Sequence, residues 1–217
     1  MFNLKKELKE ALQQSSFDKI VQYMMDMSET LVSDLAKRGD KLPNDENKIR
    51  SIILEKYLDN DEIRKINRMT SYRFTPENME NYSGTGTYLG RTDIRITLAS
   101  DFKKKNAYYI VECKRIDGSD ALNKKYVEEG VGRFVRKKYS SYYGRNLMFG
   151  FVVKKVNISQ NTKSIEDIQN TSTDPLVHGD IKIIGISGVS EHYRCTYNIV
   201  SRELELRHIF ADFSNVI

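Results

Sequence analysis

The sequence predicts an α/β domain: a mixed central sheet flanked by helices, preceded by a helical extension over residues 1–40, with the domain itself spanning 41–217. Three observations carry this. Helical apolar stripes open the chain, and two strand-like runs follow at 92–98 and 108–114. A helical pattern then leads into a third run, 147–153, that is almost wholly apolar. With 39% hydrophobic residues and only 12 Gly and 3 Pro in 217, the chain can bury a core, which excludes disordered and low-complexity classes.

Residues 2–38 read as helical. Leu4, Leu8, Ala11 and Leu12 mark one face; Ser15 and Ser16 are candidate caps for a second stripe, Ile20, Met24, Met27, Leu31 and Leu35. Arg38-Gly39 supplies a basic last turn and a terminating glycine. Pro43-Asn44-Asp45 opens another helix, Glu46 to about Leu58, with Ile49, Ile53 and Tyr57 inward. Glu46 falls at the start of that stripe, where the helix dipole alone favours an acid. Residues 60–90 are polar and punctuated, and Ser83-Gly84-Thr85-Gly86-Thr87 reads as a loop; without a following Gly-Lys-Ser/Thr it is not a phosphate-cradling P-loop.

Thr92–Leu98 alternates with period two, and Tyr108–Lys114 is nearly all apolar, as a central strand is. Ser100–Asn106, with three consecutive lysines, is their connecting turn. A helical pattern runs from about Leu122 to Tyr142, with Tyr126 or Val127, Val131, Phe134 and Val135 inward. Residues 156–180 read as loop. Ile181–Ile186, Tyr193–Val200 and Glu203–Phe210 read as shorter strands, the last two joined by a hairpin near Ser201-Arg202.

Net charge is +5, but it is not spread evenly: residues 101–155 carry 14 Lys+Arg against 6 Asp+Glu. A basic quarter of this kind suits a polyanion, and equally a solvated basic face. Two cysteines, Cys113 and Cys195, form no disulfide framework; with no apolar run near 20 residues and no signal-like start, the expectation is a cytoplasmic protein outside the membrane.

The chemistry concentrates on one strand. Glu112 and Lys114 are two apart and share a face. If the two strands pair antiparallel about a turn centred between Phe102 and Lys103, Asp93 lies directly opposite Glu112. Two carboxylates that close repel unless a cation lies between them or one is protonated. Mg²⁺ is held by one or two carboxylates with waters and phosphate oxygens, and the Cys113 backbone carbonyl offers a further oxygen. Lys114 adds a positive charge beside the ion, an arrangement suited to phosphodiester hydrolysis.

At these residues the chain resembles the PD-(D/E)xK superfamily, the restriction-endonuclease-like nucleases. The match runs through Asp93 and then Glu112-Cys113-Lys114 at the end of an apolar strand, within about residues 42–155. Thr92 precedes the aspartate where many members have proline. The resemblance implies an αβββαβ core, Asp93 and Glu112 as metal ligands, Lys114 as the catalytic lysine, and Glu46 completing the site from the first core helix. The segment Tyr126–Phe134 with Lys138-Tyr139 is similar to uncharacterised bacterial members. It implies an Mg²⁺-dependent DNA endonuclease, Mn²⁺ substituting, in restriction or anti-phage defence, with a partner protein of such a system in prospect.

Arg133, Arg136, Lys137 and Lys138 then become phosphate contacts, though a solvated helix face explains any one of them as well. Tyr142, Tyr143 and Arg145 stack on bases or simply begin an exposed loop. His178, His192 and His208 match no zinc spacing, and His208 alternates with Leu204 and Leu206 as a core histidine does. Two competing functions stay open: a nucleic-acid-binding or assembly subunit that does not cut, and a nuclease acting on RNA. Cutting both strands of a duplex usually takes two sites, so a homodimer is expected, with 2–38 as its interface.

Overall fold

The computed structural model describes residues 2–82, 84–199 and 202–217. Helix α1 (Phe2–Arg38) runs unbroken for 37 residues. Ser15 and Ser16 lie inside it and cap nothing, because the buried stripe that follows outweighs the small helix penalty of serine. Phe17, Ile20, Met24, Met27, Leu31 and Leu35 are buried, whereas Leu8 and Leu12 are 62% and 61% exposed. Gly39 ends the helix at φ +68°, a conformation that costs glycine nothing.

Helix α2 (Glu46–Ile53) is capped by Asp45, whose carboxylate accepts from Lys48 N at 2.9 Å, and continues as a wide π-helical turn, Leu54–Leu58. The polar stretch 60–90, for which the sequence predicts only the loop at its end, contains regular elements as well. It holds α3 (Asp61–Ile66), β1 (Tyr72–Pro76), and a small hairpin of β2 (Met79–Tyr82) and β3 (Tyr88–Arg91). Of the expected loop 83–87, Ser83 lies outside the described residues.

Strands β4 (Ile94–Leu98) and β5 (Tyr109–Ile116) follow. The next helical stretch comprises α4 (Asp120–Lys125), a π-helical turn (Tyr126–Val131) and α5 (Gly132–Val135). It stops seven residues short of the expected Tyr142, because Lys137 adopts φ +58° and turns the chain away. Strand β6 (Arg145–Val152) leads to α6 (Ile158–Asn170), in a region that reads as loop. Its buried side mixes Ile158 and Ile165 with Asn161, Thr162 and Gln169, which erases the apolar period. Asn161 and Asn123 exchange two hydrogen bonds, at 2.9 and 3.1 Å, so burial leaves them satisfied. Strands β7 (Lys182–Ser187), β8 (Ser190–Ile199) and β9 (Arg202–Asp212) complete the chain; Ser201, in the expected hairpin turn, lies outside the described residues.

Seven strands form one mixed sheet, ordered β1-β4-β5-β6-β9-β8-β7. β1, β4 and β5 pair antiparallel, β5, β6 and β9 parallel, and β9, β8 and β7 antiparallel. Helices cover both faces. On one side α1 and α2 pack on Tyr109, Val111, Cys113, Phe149 and Ile209 in a single cluster. On the other, the 120–135 helix and α6 pack on Ile110, Ile116, Met148, Leu206 and Phe210. No helix among the described residues is long and apolar enough to cross a membrane.

His208 lies fully buried on β9, its Nδ1 paired with the Tyr126 hydroxyl at 2.9 Å and its Nε2 without a protein partner among the described residues. Burial, reinforced by nearby His192, pulls its pKa down to about 3. A histidine depressed in the folded state stabilises above its unfolded pKa and loses that contribution as pH falls. Between pH 7.5 and 5, His208 therefore removes about 2 kcal/mol of stability. Urea unfolding of His208→Gln is expected to show a correspondingly shallower loss over that interval; an unchanged pH dependence contradicts this.

Candidate active site

The site forms where β4 leaves β5. Ile94 faces Val111 and Ile96 faces Tyr109, the register expected from the sequence, but the ladder ends there while β5 continues to Ile116 beside β6. The β4-side edge of β5 beyond Val111 thus has backbone N–H groups that need partners. Two carboxylates supply them. Asp93 Oδ2 accepts from Cys113 N at 2.7 Å, and Glu46 Oε2 accepts from Arg115 N at 3.0 Å. Asp93 stands one residue before β4, and Glu46 is the first residue of α2, so strand and helix deliver both acids to one edge.

Glu112 and Lys114 project together from β5. Glu112 is completely buried, and three donors hold it: Lys114 Nζ at 2.8 Å and Arg133 Nη1 at 2.7 Å on Oε1, and Tyr139 OH at 2.6 Å on Oε2. Burial, then the neighbouring Asp93 charge, raises its pKa, while Lys114 and Arg133 act in the opposite sense. Burial disfavours the Lys114 ammonium, yet Glu112 and Glu46 more than offset it and carry its pKa up to about 12. Lys114 is therefore a cation at neutral pH, donating also to Glu46 Oε1 at 3.2 Å and to the Cys113 carbonyl at 2.9 Å. That carbonyl, expected as an oxygen ligand, is engaged by the lysine. The Cys113 side chain points to the other face, where burial pushes its thiol well up, an inert environment.

Four further residues belong here that the sequence does not advertise. Arg50, one turn after Glu46, donates to Asp93 Oδ1 at 2.8 Å and to Glu77 Oε1 at 2.6 Å. Arg91 pairs with the other oxygen of Glu77 at 3.1 Å. Glu77 holds φ +38°, and no sequence signal marks a glutamate for that conformation. The Tyr139 hydroxyl also lies 2.8 Å from Arg91 O. The i, i+4 spacing of Glu46 and Arg50 is the one local hint.

Close approach around this network depends on two glycines. A Cβ on Gly130, in the π-helical turn, would run into the end of the Met148 side chain and lie 3.6 Å from Lys114 Cγ. The turn thus lies directly against the stem of Lys114. A Cβ on Gly90 would meet the Tyr139 ring at 3.0 Å.

A cavity of about 260 Å³ opens onto the site, lined by Glu46, Arg50, Arg91, Asp93, Lys114, Arg133 and Lys138 among others. Of the four basic residues expected to face phosphate, Arg133 and Lys138 reach this cavity. Arg136 instead binds Asp174 at 2.6 Å, and Lys137 stands exposed at the end of the helix. Among the described residues no three His, Cys, Asp or Glu side chains are grouped to hold a metal. Mg²⁺ requires only one or two carboxylates with water and phosphate oxygens, and Asp93 with Glu112 match that donor set in kind and number. Arg50, Lys114 and Arg133 provide the charge compensation in this structure. No family model matches the sequence, and neither curated proteins nor solved structures yield a match.

Removing one member of a buried ion network strands its partner. Lys114→Met is expected to destabilise the fold by about 3–5 kcal/mol, and Glu112→Gln combined with it to recover part of that loss. Urea unfolding at pH 7 measures both; an additive double variant contradicts the coupling.

Proposed function

We propose that this chain is a metal-dependent phosphodiester hydrolase acting on DNA, a nuclease of the PD-(D/E)xK type with a restriction-endonuclease-like core, at work in the cytoplasm in restriction or anti-phage defence. The single observation that carries the reading is the β4–β5 register, which sets Asp93 beside Glu112 and Lys114 at a sheet edge closed by Glu46. The order α2, β1, β4, β5, helix 120–135, β6 supports it, as does a cavity wall carrying Arg50, Arg91, Lys114, Arg133 and Lys138.

Asp93 and Glu112 would hold a Mg²⁺ or Mn²⁺ ion, which supplies electrophilic stabilisation of the phosphate and eases deprotonation of the attacking water. The chain's own groups do the rest. Lys114, a fixed cation, stabilises charge building on the phosphate oxygens. Glu46 positions Lys114 and holds the strand edge. Arg91 and Lys138 draw the polyanion in, and Arg133 and Tyr139 hold the Glu112 carboxyl in place through hydrogen bonds.

A second reading, a nucleic-acid-binding subunit that does not cut, has one observation in its favour: Asp93 and Glu112 are already neutralised by Arg50, Lys114 and Arg133. Supercoiled plasmid and single-stranded RNA incubated with Mg²⁺ or Mn²⁺ separate the readings. Cleavage of plasmid is expected, abolished by chelator and reduced at least 100-fold in Glu112→Gln and Lys114→Met, of the order seen on removing an electrostatic contact in the transition state. Equal cleavage by wild type and both variants overturns the proposal. Binding that survives chelator, with no cleavage of any substrate, establishes the second reading; cleavage of RNA alone changes the substrate.

A further inference from the structure

We infer that a second cavity beside the candidate active site receives an unpaired nucleotide of the substrate strand, an inference that rests on the nuclease reading above. The cavity, about 550 Å³, is lined by Met79, Tyr88, Arg95, Lys105, Asn106, Tyr108 and Ser140. Its volume falls within the range of small-molecule sites. None of those residues is acidic. Glu80, just behind them, is 1% exposed and wholly engaged: it accepts from Arg95 at 2.8 Å, from the Tyr108 hydroxyl at 2.7 and 2.9 Å, and from Ser140 Oγ at 2.7 Å. The acid fixes the wall, its charge set against that of Arg95, which leaves Lys105 as the cation of the lining without an acid in this network.

What the wall presents is a stacking surface with cations beside it. The exposed ring is Tyr88, 50% exposed, with Met79 at 55% and Lys105 exposed at the rim; Tyr108 is only 5% exposed, and the Arg95 guanidinium lies 4.0 Å from its ring centre and covers it. Aromatic faces that take a base, with neighbouring Lys and Arg that take its phosphate, are the features of single-strand recognition. In a duplex the base faces are stacked on one another and do not reach such a surface.

The same two segments of the chain line both cavities. Strand β3 contributes Tyr88 to this one and Leu89, Gly90 and Arg91 to the other; the segment after α5 contributes Ser140 here and Lys138 there. A strand whose phosphate lies against Arg91 and Lys138 therefore has the Tyr88 surface next along its path.

Fluorescence anisotropy with the full chain in chelator tests this, using a labelled oligothymidylate of about twelve nucleotides, a length on the scale of single-strand sites, and a blunt duplex of equal length. Tyr88→Ala is expected to weaken single-strand binding roughly ten-fold or more and to leave duplex binding nearly unchanged. Lys105→Ala is expected to lower the salt dependence of single-strand binding by about 0.7 in the slope of log K against log salt. Circular dichroism of both variants confirms that they fold. If both bind the single strand as wild type does while Lys138→Glu weakens it, the subsite is refuted and the nuclease reading stands. If wild-type protein binds neither probe and cuts nothing, both fall together.

Discussion

Glu112 is a carboxylate with no exposure to water, and the site is arranged around that fact. An ion so placed persists only with strong compensation. Three groups provide it from three parts of the chain: Lys114 from the same strand, Arg133 from the helix that follows, and Tyr139 from the turn beyond that helix. Each is in turn held by others. Lys114 binds Glu46, and the Tyr139 hydroxyl contacts the backbone of Arg91. The buried acid therefore ties α2, β3, β5 and the 120–135 helix into one unit.

The same need for satisfied polar groups explains why the site lies where it does. In a sheet interior, backbone groups find partners on both sides. β5 has them on the β6 side from Val111 to Ile116, and on the β4 side only as far as Val111. Beyond that point side chains take over, and carboxylates are well suited to accept from N–H groups. Placing two acids there brings them next to Glu112, and the resulting negative charge draws in Arg50, Lys114 and Arg133. An edge problem in the sheet becomes a charged cleft, with the basic wall of the cavity as its outward expression.

Much of this was legible in the sequence, and the reason is periodicity. The buried stripe of α1, the helix at Glu46 with its Asp45 cap, and the three inner strands all follow from apolar spacing, and the Asp93–Glu112 juxtaposition from the length of one turn. Where burial is polar, periodicity fails. α6 hides Asn161, Thr162 and Gln169, so its sequence looks like loop. The strands between Tyr72 and Arg91 are four or five residues long, too short for an alternating pattern to stand out among Asn, Glu and Gly. Arg50, Glu77 and Tyr139 were invisible for a different reason. Their roles come from contacts 27 to 43 residues away in sequence, which no local pattern encodes.

The early end of the β4–β5 ladder also shapes how the cleft can move. The two walls of the opening are joined at its mouth by side-chain contacts, Asp93 to Cys113 N and Glu46 to Arg115 N, and not by strand pairing. Splaying them breaks those two contacts together with the Lys114–Glu46 pair and leaves the eight-residue strand β5 seated along β6. The gap is thus spanned by two acids that accept from backbone N–H groups, and a cation binding those acids would compete with the contacts that span it.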